Sequence, residues 1–360
     1  MGLRNNRISR SIVRAIFRDP EHQQRSLLAR ILSLFALFQL ALTRFNAAVF
    51  KKLRNEVWGL DEEEYRESFR SGGKKGGLNP VGDLGYSGST FFTTPNSKFL
   101  IKSLPRRFEH TFFTNDLFLP YTTHMQTHPS SLLVRITDFL CALHPSIGSI
   151  LGTAPAHHVV MENVLYGKDS DSQSAAWETY DLKPASYFYP ERDIADGRLA
   201  SDSVKERLVD TFPDKIRLTR DEFEELMYLL KVDTGLLASA NAVDYSLFLV
   251  RYPNNPSRSV ASLSSAFSAG ANNNSNWRTG VVSADRKWVY RAVVLDFFWA
   301  KHKAQAMAMT GLIRSFNVFA GKGDMSITTD PDEYKERFLS MVKGYVEVVE
   351  EGGSGEALRM

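Results

Sequence analysis

The chain has 360 residues, 44 of them basic and 41 acidic, for a formal net charge of +3; 43% are hydrophobic and 24% charged. These are ordinary globular proportions, which exclude a mostly disordered or collagen-like chain and leave room for one large domain or two lobes. The single cysteine, Cys141, excludes an intrachain disulfide framework and a cysteine-based zinc cluster and fits a reducing compartment, while the small net charge gives no reason to expect a nucleic-acid partner.

Residues 1–30 carry Arg4, Arg7, Arg10, Arg14, Arg18, Arg25 and Arg30 against only Asp19 and Glu21. Ile8, Ile12 and Ile16 recur every fourth residue, which predicts a helix apolar on one face and basic on the other. Three destinations suit such a helix: packing on its own domain, an anionic membrane surface, or a mitochondrial-type presequence. The most apolar run, residues 31–42 (ILSLFALFQLAL), is too short for a bilayer span and reads as a buried or interfacial helix. No transmembrane segment is expected. Gly2 does not meet the myristoylation pattern, since Asn6 stands where Ser or Thr is wanted.

Residues 44–70 read as helix, followed by the Gly/Lys-rich break Ser71–Gly77. Two strands, Ser89–Thr94 and Lys98–Leu104, are joined by a turn at Pro95-Asn96. Residues 106–126 predict a helix stopped by Pro129, and 131–143, 157–166 and 176–183 alternate like strands. A helix begins at Thr219, with Glu222 completing a capping box before apolar Phe223, Leu226 and Leu230. Residues 253–280 are low-complexity and read as a flexible loop between strands at Tyr245–Tyr252 and Lys287–Asp296; the tail Glu351–Met360 is expected to be mobile. Strands and helices mix without a βαβ rhythm, so the class is α+β with mostly antiparallel sheets.

Several groups point to phosphate chemistry. Glycines in Gly82-Asp83-Leu84-Gly85-Tyr86-Ser87-Gly88-Ser89 let backbone N–H groups approach phosphate oxygens as the chain enters a hairpin. Lys102, on the second strand of that hairpin, suits α- and β-phosphates. Asp244 and Asp296 sit in apolar stretches read as consecutive strands of a second hairpin. There, one can accept a hydroxyl proton and the other hold Mg²⁺. Lys183, beside Asp181, adds a second lysine for a transferring phosphoryl group.

In order along the chain, GYSGSTFF (85–92), KFLIK (98–102), VVMEN (159–163), YDLK (180–183), VDYSL (243–247) and VLD (294–296) resemble the motifs of the phosphatidylinositol phosphate kinase family. Segments 44–69 and 319–338 resemble its N-terminal helix and closing region.

The resemblance implies a two-lobed SAICAR-synthase-like kinase fold. It covers roughly residues 44–349, with an N-terminal lobe at 44–160 and a C-terminal lobe at 161–350; the basic amphipathic segment 1–43 and the tail 351–360, expected to be disordered, flank it. Gly85, Ser87, Gly88, Ser89, Lys102 and the stretch Met161, Glu162 and Asn163 would bind ATP. Asp244 and Lys183 would be catalytic, and Asp296 would hold Mg²⁺. The implied activity is transfer of the ATP γ-phosphate to a phosphatidylinositol monophosphate, by a cytoplasmic enzyme peripherally associated with an anionic, phosphoinositide-bearing membrane. Homodimerisation through the N-terminal lobe, which some members show, is left open.

Departures favour a rival, a pseudokinase acting as a membrane-binding scaffold. Tyr86 replaces the usual Lys or Arg, Pro184-Ala185 replaces Gly-Ser, and the segment after Asp296 has few lysines beyond Lys301 and Lys303.

Overall fold

The computed structural model describes residues 2–18, 37–70, 77–81, 89–151, 153–184, 211–255, 276–300 and 330–349. These fall into two compact units: one holds the residues up to Pro129 and Val134–Ser172, the other Ser130–Leu133 and the residues from Gln173 onward.

The first unit opens with α1 (Leu3–Phe17). Ile8, Ile12 and Ile16 are fully buried, so the expected two-faced helix forms and turns its apolar face into its own unit. Six strands follow: β1 (Leu42–Arg44), β2 (Asn79–Val81), β3 (Phe91–Thr93), β4 (Phe99–Ser103), β5 (Ile136–Ala142) and β6 (His157–Glu162). They form an antiparallel sheet in the order β1-β5-β6-β4-β3-β2. The hairpin β3–β4 turns at Pro95-Asn96, as its sequence predicts, with Ser97 at φ 57°. The apolar run differs from expectation where it is described. Leu40 and Ala41 are buried in extended chain, and β1 pairs with β5, because the edge of β5 supplies ladder partners and a short apolar run carries no period that distinguishes helix from strand.

The helices α2 (Ala47–Lys52), α3 (Glu62–Glu67), α4 (Arg107–Phe112), α5 (Phe118–Thr127) and α6 (Ile147–Ile150) complete this unit. Each of α2 and α4 runs into a wider π-helical turn, at Leu53–Val57 and Phe113–Leu117. Phe113 stacks on Phe139 of β5 with ring centroids 4.8 Å apart, and Phe118 meets Phe45 edge-on at 5.1 Å. Beside this aromatic core lies a polar one. The buried Asp138 carboxylate pairs with Arg44 (2.8 Å) and accepts from Arg54 (3.4 Å) and the Tyr65 hydroxyl (3.0 Å).

The second unit is built on an antiparallel sheet of β7 (Glu178–Leu182), β10 (Ser246–Pro253), β11 (Val281–Val282) and β12 (Trp288–Leu295), in the order β11-β12-β10-β7. β8 (Ile216–Leu218) pairs in parallel with β14 (Val346–Val348), and β9 (Ala242–Val243) pairs antiparallel with β13 (Trp299–Ala300). α7 (Arg220–Ser239) starts at the predicted capping box: Glu222 N–H donates to Thr219 Oγ1, and Thr219 N–H to Glu222 Oε2. It packs against α9 (Pro331–Tyr345), capped by Asp330.

Residues 276–279, expected within a loop, form one helical turn, α8 (Asn276–Thr279). Its Trp277 is fully buried, and its Arg278 donates to the carbonyls of Ser131 and Leu133. Burying an apolar indole, and a guanidinium that finds carbonyl acceptors, overrides the polar local composition. The rest of that loop and the tail 351–360 lie outside the described residues.

Candidate active site

The second unit gathers three of the expected residues at one end of its sheet. In the β10–β12 ladder Ser246 pairs with Leu295, and in the β9–β13 ladder Val243 pairs with Trp299. Between these two registers lies a shared break, in which Asp244 and Tyr245 face Asp296, Phe297 and Phe298. Both aspartates sit there with φ 62°. The sequence reading placed them within strands. They stand instead in turns between strands, where left-handed backbone is tolerated best by Asp, Asn and Gly, and such breaks re-aim side chains away from the sheet faces.

The break is held on both sides. Tyr245, fully buried next to Asp244, packs edge-on against Tyr334 at 4.7 Å and Phe338 at 5.1 Å of α9, and the Tyr334 hydroxyl donates to the Tyr245 carbonyl at 2.6 Å. Phe297 and Phe298, next to Asp296, are buried, and the Phe298 N–H donates to the Asp296 carbonyl at 2.9 Å.

Lys183 reaches this break from the end of β7, whose Leu182 pairs with Leu247. Its Nζ donates to the Asp244 carboxylate and to the Asp244 main-chain carbonyl, both at 2.9 Å. Burial alone would pull the Lys183 ammonium down, but the carboxylates of Asp244, Asp181 and Asp296 outweigh it and hold the ammonium well above the ordinary lysine value. Asp181, named in the sequence only as a companion of Lys183, is thus part of the same electrostatic cluster.

The first unit positions the remaining candidates. Lys102 is buried on β4 between Phe91 and Val159, its Nζ 5.7 Å from the Phe91 ring centroid. Ser89 is buried just before β3. Gly85, Ser87 and Gly88 lie outside the described residues, as do Tyr86 and the segment after Ala300. Met161 and Glu162 end β6, a strand paired on both edges. Glu162 N–H donates to the Arg135 carbonyl and Asn163 N–H to the Lys98 carbonyl, each at 3.0 Å. The donors of Glu162 and Asn163 are therefore already engaged, and a purine placed at this strand end would have to draw on other backbone groups.

A profile of the phosphatidylinositol-4-phosphate 5-kinase family matches residues 73–345, about three quarters of the chain. The chain belongs to the phosphatidylinositol phosphate kinase family. Its mixed helices and antiparallel sheets are the α+β kinase fold that membership implies. Among curated relatives of this kinase family, it is 24% identical to a phosphatidylinositol 4-phosphate 5-kinase of Plasmodium falciparum, over 83% of this chain and 18% of the relative. It is 29% identical to a probable phosphatidylinositol phosphate kinase of Dictyostelium discoideum, over 57% and 27%. It is 27% identical to human phosphatidylinositol 4-phosphate 5-kinase type-1 beta, over 54% and 33%. The chain thus spans between 18% and 33% of the length of these relatives. No helix among the described residues is long and apolar enough to cross a membrane.

Sequence reasoning passed over a clamp behind this break. Asp233, buried on α7, accepts from the Ser131 hydroxyl at 2.7 Å and the Leu132 N–H at 2.6 Å. The Leu132 carbonyl accepts from Val294 N–H at 2.7 Å, two residues before Asp296. The one signal available was a carboxylate among the apolar positions of α7, a placement that demands partners.

Asp296 and Asp244 offer hard oxygen donors and are half-buried in a turn. That suits Mg²⁺, which is commonly bound through one or two carboxylates with substrate phosphates completing its shell. Among the described residues no group of three or more His, Cys, Asp or Glu is placed to hold a metal.

Proposed function

We propose that this chain transfers the γ-phosphate of ATP to an inositol hydroxyl of a phosphatidylinositol monophosphate. The observation that carries the reading is the meeting of Lys183, Asp244 and Asp296 in one break of the second unit's ladders. On this reading Asp244 accepts the hydroxyl proton or orients the hydroxyl, a role its carboxylate fits because Lys183 holds it in place from one side. Lys183 keeps a full positive charge there, available to the transferring phosphoryl oxygens. Lys102 and the glycine loop at 85–89 would receive the ATP phosphates. Asp296 would hold Mg²⁺, whose charge neutralises phosphate oxygens during transfer. Catalysis is then mainly a matter of positioning and electrostatics. The names of the relatives favour phosphatidylinositol 4-phosphate as the acceptor and its 5-hydroxyl as the attacking group.

One observation favours the scaffold reading. Pro184 follows Lys183 directly and is buried, so the chain has no N–H to offer a phosphate at that position.

The deciding experiment is radiolabelled transfer from ATP to vesicles carrying each phosphatidylinositol monophosphate in turn, beside Asp296→Asn. Label in one lipid that is lost in the variant supports the kinase and names its substrate. Wild-type label no higher than the variant's with every lipid, from protein seen to bind the vesicles, leaves the scaffold reading.

A further inference from the structure

α1 contains no acidic residue. At about 100° per residue, Arg7, Arg10 and Arg14 fall within an arc of about 60°, with Ile8, Ile12 and Ile16 on the opposite side. The isoleucines are fully buried and the three arginines exposed. No hydrogen bond or ion pair among the described residues engages the side chains of Arg7, Arg10 and Arg14.

The helix is fastened in this orientation. Ser9 and Ser11, beside the isoleucines, accept N–H groups from Leu78 at 2.7 Å and Leu40 at 3.0 Å, and Arg4 Nε donates to the Thr153 carbonyl at 2.6 Å. Rolling the isoleucines into a bilayer would break all three contacts and open the core. What α1 offers outward is therefore charge on a rigid base.

Beside Arg10 and Arg14 runs a groove of about 510 Å³, walled by Val13, Phe17 and Phe69, with Arg70 at its edge. Arg70 is paired with Glu63 and Glu67, so among the described residues lining the groove the unpaired positive charge is that of α1. A row of guanidinium groups beside a shallow apolar groove matches the order of a leaflet, phosphate above hydrocarbon.

We propose that the Arg7–Arg10–Arg14 face of α1 is an electrostatic docking surface for an anionic phospholipid bilayer. α1 lies ahead of the residues that the family profile matches. This surface extends the lipid-kinase reading by naming what would hold the chain at a membrane, and its test does not depend on that reading.

The test is co-sedimentation of the full chain with phosphatidylcholine vesicles, with and without phosphatidylserine, at low and high salt. Binding is expected only with phosphatidylserine and is lost in high salt. Replacing all three arginines by glutamine should weaken it roughly 100-fold, and Arg10→Gln alone about five-fold; replacement by lysine should keep it. The single variant gives the reading should the triple variant misfold. Undiminished binding by the glutamine variants would overturn the proposal. So would equal binding without phosphatidylserine, or binding to RNA or an acidic peptide with none to vesicles.

Transfer to a dispersed short-chain phosphatidylinositol phosphate separates the two readings. The glutamine triple should match wild type there, while Asp296→Asn should bind vesicles normally and transfer nothing. Vesicle binding as expected with no transfer by wild type sinks the kinase reading alone.

Discussion

Asp244 and Asp296 occupy the same break between two antiparallel ladders, each with φ 62°. Two acidic residues held in left-handed backbone, one behind Val243 and the other behind Leu295, are costly for any side chain but Asp, Asn or Gly. Local strain of this kind persists where surrounding packing enforces it, here the buried Tyr245 and Phe297.

That conformation separates folding effects from chemical ones. At either position Ala should be less stable than Asn by about 1–2 kcal/mol from the left-handed penalty alone, since both replacements remove the same carboxylate charge. All four variants should lose phosphate transfer. Urea unfolding of the Asn and Ala pairs reads the difference; equal stability within each pair would mean the backbone relaxes out of the left-handed region.

Lys183 and Asp244 should act as a unit. Asp244→Asn is expected to lower kcat about 10²- to 10⁴-fold, the range for a lost general base, with little change in the KM for ATP. Lys183 has a folded value raised above its unfolded one. The stability it draws from the carboxylates is therefore fully present below the ordinary lysine value, near 10.4, and disappears only as pH rises through the higher folded value. The stability gap between wild type and Lys183→Met should stay constant from pH 7 to pH 10. A gap that narrows across that range would contradict the pairing.

Asp138 is a structural counterpart in the first unit. Its carboxylate neutralises Arg44 and Arg54, both buried, and Asp138→Ala would leave two guanidiniums short of a partner. A loss of roughly 3–5 kcal/mol is expected, seen as a lower chemical-denaturation midpoint. A loss below about 1 kcal/mol would show that Glu62, which also pairs with both arginines, suffices alone.

Acid should loosen the first unit through His158. It is fully buried on β6, and neither ring nitrogen has a hydrogen-bond partner among the described residues. Burial first, and the neighbouring His157 second, push it down to about 3 from 6.5. The unfolded chain then takes up the proton first, so stability is lost as pH falls from 6.5 toward the folded value, by an amount on the order of 5 kcal/mol in full and about 3 kcal/mol by pH 4. Thermal melts between pH 7 and 4 should flatten in His158→Leu. An unchanged slope would assign the acid sensitivity to other groups.

Much of the local structure was legible in the residues themselves. The four-residue recurrence of Ile8, Ile12 and Ile16 gave α1, the Thr219–Glu222 box gave the start of α7, and Pro95-Asn96 gave the β3–β4 turn. The six motifs in order along the chain pointed to the kinase family that the profile match shows. Asp233 and Arg278 remained illegible because their acceptors and donors at Ser131–Leu133 lie more than a hundred residues away.

What the sequence alone determined, then, was periodicity, capping and motif order, since each is written within a few residues of itself. The tertiary structure alone decided where the isoleucines of α1 go, that Asp244 and Asp296 stand in turns rather than strands, and that Lys183 bonds Asp244 across 61 positions. A charged side chain's partner depends on strand register, and register is set by packing of the whole unit rather than by its neighbours in the chain.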